Sequence, residues 1–172
     1  YQGEELGQTE TELDYAELTD PPALRFWPGI KGRDGCRTPM VWEVDGGQAG
    51  FTTANRTWLP IPVEHQSHAV DAQGDGSVLK HYQEFLTFRR ATSALREGDI
   101  KIIDATEQVL AFERQLGEER ILCVFNMSDQ PATIELAAFE DFDHAARHSN
   151  ATLEGTRLSL PSFSSYFGVN AS

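Results

Sequence analysis

Lys31-Gly-Arg-Asp-Gly-Cys-Arg-Thr-Pro-Met40, followed by Val41-Trp42, sets two arginines, an aspartate, two glycines and a proline within ten residues and closes on bulky apolar groups. Glycine permits backbone shapes that a Cβ resists, and proline fixes its own φ. A loop built this way can hold Arg33, Asp34 and Arg37 at set angles. Rigidly held guanidinium and carboxylate groups are what recognition of hydroxyl-rich or anionic ligands requires. The same residues suit an internal Arg–Asp brace on a structural loop, because buried arginine is paired whatever its function. Spacing leaves both readings open.

The flanks extend the irregularity. Residues 1 to 7 read as a strand end turning at Gly3 and Gly7. Gln8 to Asp20 is acidic, with Leu13 and Leu18 as anchors of a solvated loop or single helical turn. Pro21-Pro22 and Pro28-Gly29 are expected to keep the chain in a loop. Arg25-Phe-Trp27 places two aromatics there, which either pin the loop to a core or line a sugar site. Glu43 to Gly76 remains rich in Gly, Pro and polar residues. A connection from residue 8 to residue 76 far exceeds ordinary loops, and such loops are binding loops or lids on a larger scaffold.

Periodicity begins at Ser77, which reads as an N-cap before Val78, Leu79, Tyr82, Phe85 and Leu86 at helical spacing. The spacing predicts a helix over about 77–95, with Arg89 and Arg90 toward its C-terminal end, where the dipole favours cations, and Gly98 beyond it. The apolar stripe is read as core packing. The period then shortens. Ile100-Lys-Ile-Ile103, Val109-Leu-Ala-Phe112, Ile121-Leu-Cys-Val-Phe125, Thr133-Ile-Glu-Leu136, Arg157-Leu-Ser-Leu160 and Ser165-Tyr-Phe-Gly-Val169 are short strands separated by turns. They predict an antiparallel β-sandwich over 97–172, with a boundary near residue 96 and no flexible linker.

Composition narrows the partners. Fourteen Lys and Arg against 27 Asp and Glu give a net charge of −13 over 172 residues. That field repels phosphate backbones and anionic membrane surfaces, so neither nucleic acid nor membrane is an expected partner. No apolar run is long enough to span a bilayer. Hydrophobic content of 40% supports a core. The first residues have no basic or apolar leader and no initiating Met, so the sequence reads as a piece of a longer protein, without a signal peptide. Cys36 and Cys123 do not make a disulfide framework, and a reducing cytoplasm is the expected setting. Asn55-Arg-Thr57, Asn126-Met-Ser128 and Asn150-Ala-Thr152 match glycosylation sequons and are read as chance matches.

Gly32 to Met40 with Trp42 resembles the loop after the eighth strand of the catalytic barrel in glycoside hydrolase family 13, in its α-glucosidase and oligo-1,6-glucosidase branch. Tyr1-Gln-Gly-Glu-Glu-Leu-Gly7 resembles the end of that eighth strand. Ala49-Gly-Phe-Thr-Thr53, Trp58-Leu-Pro-Ile61 and Val78 to Arg90 follow in the family's order. The resemblance implies that residues 1–96 are the C-terminal segment of a (β/α)8 TIM barrel: strand-eight end, long βα loop and last helix. It implies that 97–172 are the β-sandwich C-terminal domain. A whole barrel takes about 250 residues, so it cannot lie within this chain. The nucleophile, the acid/base and a supporting aspartate belong, in the family, to barrel strands four, five and seven, and no catalytic residue is expected here. The implied parent is a retaining α-glucosidase, without a cofactor, acting on terminal α-linked glucose of oligosaccharides or α-glucosides. This chain alone is expected to be inactive and to pack on the rest of the barrel. Phe26, Trp27, Phe51 and Trp58 are the expected apolar covering surface.

On that resemblance Arg37 is the expected contact to a hydroxyl of the terminal glucose. Arg33 and Glu4 are further substrate-binding candidates, and Asp34 braces the loop. Glu4 and Glu5 are adjacent, and strand neighbours point to opposite faces, so they are not read as a catalytic pair. His65 and His68, with Asp71, Asp75 and His81 nearby, lie on an irregular stretch that guarantees no shared face, and no metal site is expected. Cys36 has no nucleophile geometry. Three rivals stay open: a carbohydrate-binding sandwich, a non-catalytic structural relative, and a sucrose-acting or transglycosylating enzyme.

Overall fold

The computed structural model describes residues 1–144 and 150–170. The chain divides into two units, Tyr1–Glu84 and Phe85–Ser172.

The first unit holds no β-strand. Residues 1–7 differ from the expected strand end: Glu4–Leu6 is one 3-10 turn between Gly3 and Gly7. The amides of Glu4, Leu6, Gly7 and Gln8 all bond to carbonyls of Tyr1, Gly3 and Glu4. Backbone groups that a strand would offer to a neighbour are thus used locally. Helix α1, Pro21–Phe26, begins on the two prolines expected to keep the chain in a loop. Proline lacks an N–H, but the first-turn amides have no intrahelical acceptor, so its loss costs nothing there. Asp20 stands before it, its carbonyl accepting the Leu24 N–H at 3.1 Å. Two small cores hold the unit. One gathers Leu6, Val41, Ala49 and Ala69 with Met40 and Leu79 against them. The other gathers Leu13, Leu18, Ala23 and Leu59, so both expected leucine anchors are buried.

Helix α2, Val78–Ala91, spans the division between the units. Ser77 caps it, its Oγ accepting the Lys80 N–H at 3.3 Å. The expected single helix to residue 95 is broken at Thr92. There the backbone is extended, and both the Thr92 amide and its hydroxyl bond to the Phe88 carbonyl. Helix α3, Ser93–Glu97, follows. Its first turn is capped from outside: the Glu119 carboxylate accepts the Ala94 N–H at 2.6 Å, where an anion also complements the helix dipole. The apolar stripe of α2 is only partly core. Phe85 and Phe88 pack onto Phe167, with ring centroids 5.6 Å apart in both pairs. Val78, Tyr82 and Leu86, spaced by four, form an exposed stripe of their own.

The second unit continues with strands β1 Asp99–Ala105, β2 Val109–Leu116, β3 Glu119–Asn126, β4 Ala132–Glu135, β5 Phe142–His144, β6 Thr152–Glu154, β7 Arg157–Leu160 and β8 Ser165–Asn170. All pairings are antiparallel, in a five-stranded sheet ordered β1-β2-β3-β8-β5 and a three-stranded sheet ordered β4-β7-β6. Strands β5 and β6 escape sequence reading because three residues carry no period. Between the sheets lie Val109, Ala111, Leu122, Val124 and Tyr166 from one side and Leu158 and Leu160 from the other. The opposite face of the larger sheet packs Ile121, Cys123 and Phe167 under Ala94 and Leu95. A register shift between Ile102 and Asp104 is a bulge that turns Ile103 to the inter-sheet core and leaves Ile100 and Ile102 exposed.

Two polar knots close this unit. Arg120 makes a two-pronged bond to Glu113, 2.9 Å at each prong, and lies over the Phe142 ring. Hydrogen bonding and charge from Arg120 hold the Glu113 carboxyl below its ordinary value. Asn126, 2% exposed, donates from Nδ2 to the carbonyls of Gln130 at 2.7 Å and Pro161 at 2.8 Å. Its Oδ1 accepts the Ser128 amide and hydroxyl.

Candidate functional site

The glycine-rich loop is a fixed turn. Asp34–Cys36 forms one 3-10 turn flanked by Arg33 and Arg37, closed by the Arg37 N–H on the Asp34 carbonyl at 2.9 Å. The Asp34 side chain points inward and is 1% exposed. Its Oδ2 accepts the Thr19 and Asp20 amides at 2.5 and 2.7 Å, and its Oδ1 accepts the Thr19 hydroxyl at 3.0 Å. The grip is mutual: Oδ2 of buried Asp20 accepts the Arg33 N–H at 2.8 Å, with Arg33 Nε 3.8 Å away. Burial works to raise the Asp34 pKa. The three donors and the charge of Arg37 outweigh it and hold the carboxyl below its ordinary value. Gly32 makes the approach possible. Its φ is +74°, and a Cβ there would stand 2.7 Å from Ala23 Cβ and 2.8 Å from Asp20 Oδ2.

Sequence reasoning singled out Asp34 but not Thr19 and Asp20. An aspartate directly before Pro21-Pro22 is the helix-start signal that would have found the second.

The remaining site residues stand as follows. The Arg33 side chain is 64% exposed. Arg37 is half-buried and lies close enough to Asp34 for its charge to act there. Glu4 lines a cleft of about 160 Å³ with Gly35, Cys36 and Thr38. Neither Arg33 nor Arg37 lines that cleft. Glu5 accepts the Gly3 N–H at 3.0 Å, so the two glutamates are engaged separately. Exposed Cys36 directs its Sγ–H to the Arg33 carbonyl at 3.1 Å. Buried Cys123 has its thiol pushed up to about 12 by desolvation.

A wider depression of about 650 Å³ is lined by Glu17, Thr19, Gln48, Arg56, Trp58 and Gln66. Its floor carries strain: Gln48 and Ala49 both have left-handed backbones, φ 51° and 49°, which cost about 1 kcal/mol or more each. The Ala49 carbonyl repays this by accepting the Trp42 and Glu43 amides at 2.8 and 3.1 Å. Phe26, Trp27, Phe51 and Trp58 are 50%, 36%, 45% and 68% exposed. Trp27 leans on Tyr15 at 6.2 Å and Phe26 sits under Arg25, so these aromatics are outside both small cores.

His65 and His68 go to structural partners. His65 is 2% exposed, and His68 Nδ1 donates to the Leu6 carbonyl at 3.1 Å, an atom that can only accept. Among the described residues no three His, Cys, Asp or Glu side chains gather as metal ligands, and no helix is long and apolar enough to cross a membrane.

Residues 1–98 match the alpha amylase catalytic domain. The chain belongs to the alpha-amylase family. Residues 100–167 of this alpha-amylase-family chain match the maltogenic amylase C-terminal domain. The chain is 52% identical over 140 residues to a probable alpha-glucosidase of Rhizobium meliloti (strain 1021), covering 79% of this chain and 25% of that protein. It is 36% identical over 149 residues to the glucan 1,6-alpha-glucosidase of Streptococcus dysgalactiae subsp. equisimilis, covering 76% of this chain and 28% of the relative. Among solved structures, the alpha-glucosyl transfer enzyme XgtA superposes with a TM-score of 0.89 at 38% identity, over 99% of this chain and 32% of that one. The trehalose-6-phosphate hydrolase of Bacillus licheniformis, 22% identical with a TM-score of 0.85, shares the fold. The chain thus spans about a quarter to a third of the length of these family members. Residues 1–98 are the end of the family's catalytic barrel and the antiparallel sheets are its C-terminal domain.

Proposed function

We propose that this chain serves a retaining α-glucosidase that releases terminal α-linked glucose from short oligosaccharides or α-glucosides. The observation that carries the reading is the 52% identity over 140 residues to a probable alpha-glucosidase. In this reading the carboxylate pair that retention requires comes from earlier barrel strands, and residues 97–172 form the C-terminal domain beyond a boundary near residue 96. Arg37 is the substrate contact, with Arg33 and Glu4 at the rim, and Asp34 braces the loop that presents them. The bonding supports this division of labour. Asp34 is occupied by Thr19 and Asp20, whereas Arg37 carries no ion pair among the described residues within salt-bridge distance. The chain packs on the rest of the barrel through surface that includes exposed Phe26, Phe51 and Trp58. Two free cysteines support a reducing, cytoplasmic setting.

Hydrolysis of a chromogenic α-glucoside tests the reading, comparing residues 1–172 with a protein extended upstream through a whole barrel. Activity only in the longer protein is expected, and there Arg37→Ala lowers kcat/KM by about a hundredfold or more with an unchanged melting temperature. Activity in the short chain, or an unaffected Arg37→Ala, overturns it. A glucosyl-transfer enzyme is the second reading, favoured by the 38% identity to XgtA. It predicts oligosaccharide products when acceptor sugar is in excess.

A further inference from the structure

Gln8 sits where one amide must satisfy three neighbours. Its Oε1 accepts the Val41 N–H at 3.3 Å. Its Nε2 faces the Pro39 carbonyl at 3.4 Å and His65 Nδ1 at 3.2 Å. Two of these neighbours fix the amide's orientation, because a backbone N–H can only donate and a carbonyl can only accept. The third then has no choice. His65 Nδ1 must present a lone pair, so the ring is neutral with its proton on Nε2. A protonated ring would set an N–H against an N–H. Turning the Gln8 amide over to relieve that would set oxygen against the Pro39 carbonyl and nitrogen against the Val41 amide.

We propose that Gln8 and neutral His65 are positioning residues for the recognition loop, and that protonation of His65 releases the Pro39–Val41 segment, which begins two residues after Arg37. The inference rests on the reading of Arg37 as a substrate contact.

The surroundings suit such a device. His65 is 2% exposed, and desolvation, the largest influence on it, pushes its pKa below 6.5. The charge of His68 acts in the same direction, while a backbone bond to Thr9 and the carboxylate of Glu64 oppose it. These are the groups that act on the ring. Because the folded value is lowered, the bracket is intact above pH 6.5 and is lost as pH falls through the folded value. Room for the amide is made by Gly3. Its φ is +98°, and a Cβ there would stand 2.7 Å from Gln8 Oε1.

Two measurements on the full-length protein test this. In the kinetic one, Gln8→Leu raises KM about tenfold above pH 6.5, the worth of the hydrogen bonds removed, with kcat changed far less, and the difference shrinks in acid, where the unsubstituted bracket opens too. The unsubstituted protein shows a KM that climbs as pH falls through the folded value of His65, which lies below 6.5. His65→Asn, whose side-chain oxygen takes the place of Nδ1 and does not titrate, lacks that climb. Identical pH profiles with and without His65 overturn the proposal. The second measurement needs no activity. Nitrogen-15 NMR is expected to show an unprotonated His65 Nδ1 at neutral pH and a Val41 amide shift that titrates in step with the ring. A Val41 amide indifferent to His65 overturns the proposal. Coupled titration in a protein that hydrolyses no α-glucoside keeps the bracket and removes the functional reading instead.

Discussion

Asp34 fixes the backbone of Asp20 from 14 residues further along the chain, and it does so through amides and a hydroxyl. That choice has a consequence in acid. Its pKa is lowered in the folded state, so the unfolded chain takes up a proton first as pH falls. The stabilisation is therefore complete above about pH 3.8, the ordinary value, and is lost as pH falls through the folded value. Asp34→Asn places an NH2 donor or a weaker acceptor against three donors and should cost about 2 kcal/mol. Melts across the acid range are expected to show a lower, flatter stability for this variant; a variant as stable and as pH-dependent as the original would contradict the account. The sequence announced Arg33, Asp34 and Arg37 as a rigid set but not how they are held. An Arg–Asp brace and an amide clamp have the same spacing, and although Asp20 shows itself as a helix start, nothing in the sequence pairs it and Thr19 with a residue 14 or 15 positions further along. The cleft that Glu4 lines beside Gly35 and Cys36 needed three dimensions.

Element boundaries follow from which groups compete for backbone bonds. Pro21-Pro22 read as loop because proline breaks helices, yet at a first turn it has nothing to break. The pattern also gave one helix where Thr92 makes two, since its hydroxyl and amide both occupy the Phe88 carbonyl. Helix α3 is five residues long, too short to stand on its own propensity, and its cap comes from strand β3. Glu119→Gln keeps the size but removes the charge at Ala94, and should cost about 1 kcal/mol. Amide exchange at Ala94 to Glu97 should rise while β2 and β3 keep their protection. Equal loss throughout β3 would mean that Glu119 supports the sheet and not the helix. The longer strands were legible because alternation or β-branching marks them. β5 and β6 are strands only because β8 and β7 offer them a register.

At the scale of the whole chain, the charge of −13 disfavours partners built on phosphate backbones. The aromatics that sequence assigned to a covering surface are exposed in the structure, a distribution that suits a segment made to be completed by more protein. Buried Asn126 carries a consequence of another kind. Its Nδ2 is the atom a secretory host would glycosylate, and oligosaccharide transfer acts on chains before they fold. A glycan there would replace the bonds to Gln130 and Pro161 in a site that is 2% exposed, whereas Asn55 and Asn150 lie at the surface. Ser128→Ala, which erases the acceptor signal at the loss of the hydroxyl's bonds to Asn126 and to the Gln130 backbone, should raise the secreted yield from a eukaryotic host and leave the yield from a bacterial one unimproved. Secreted, folded material with a sugar on Asn126 would refute this. A side chain that ties two loops together thereby also decides which organisms can manufacture the protein.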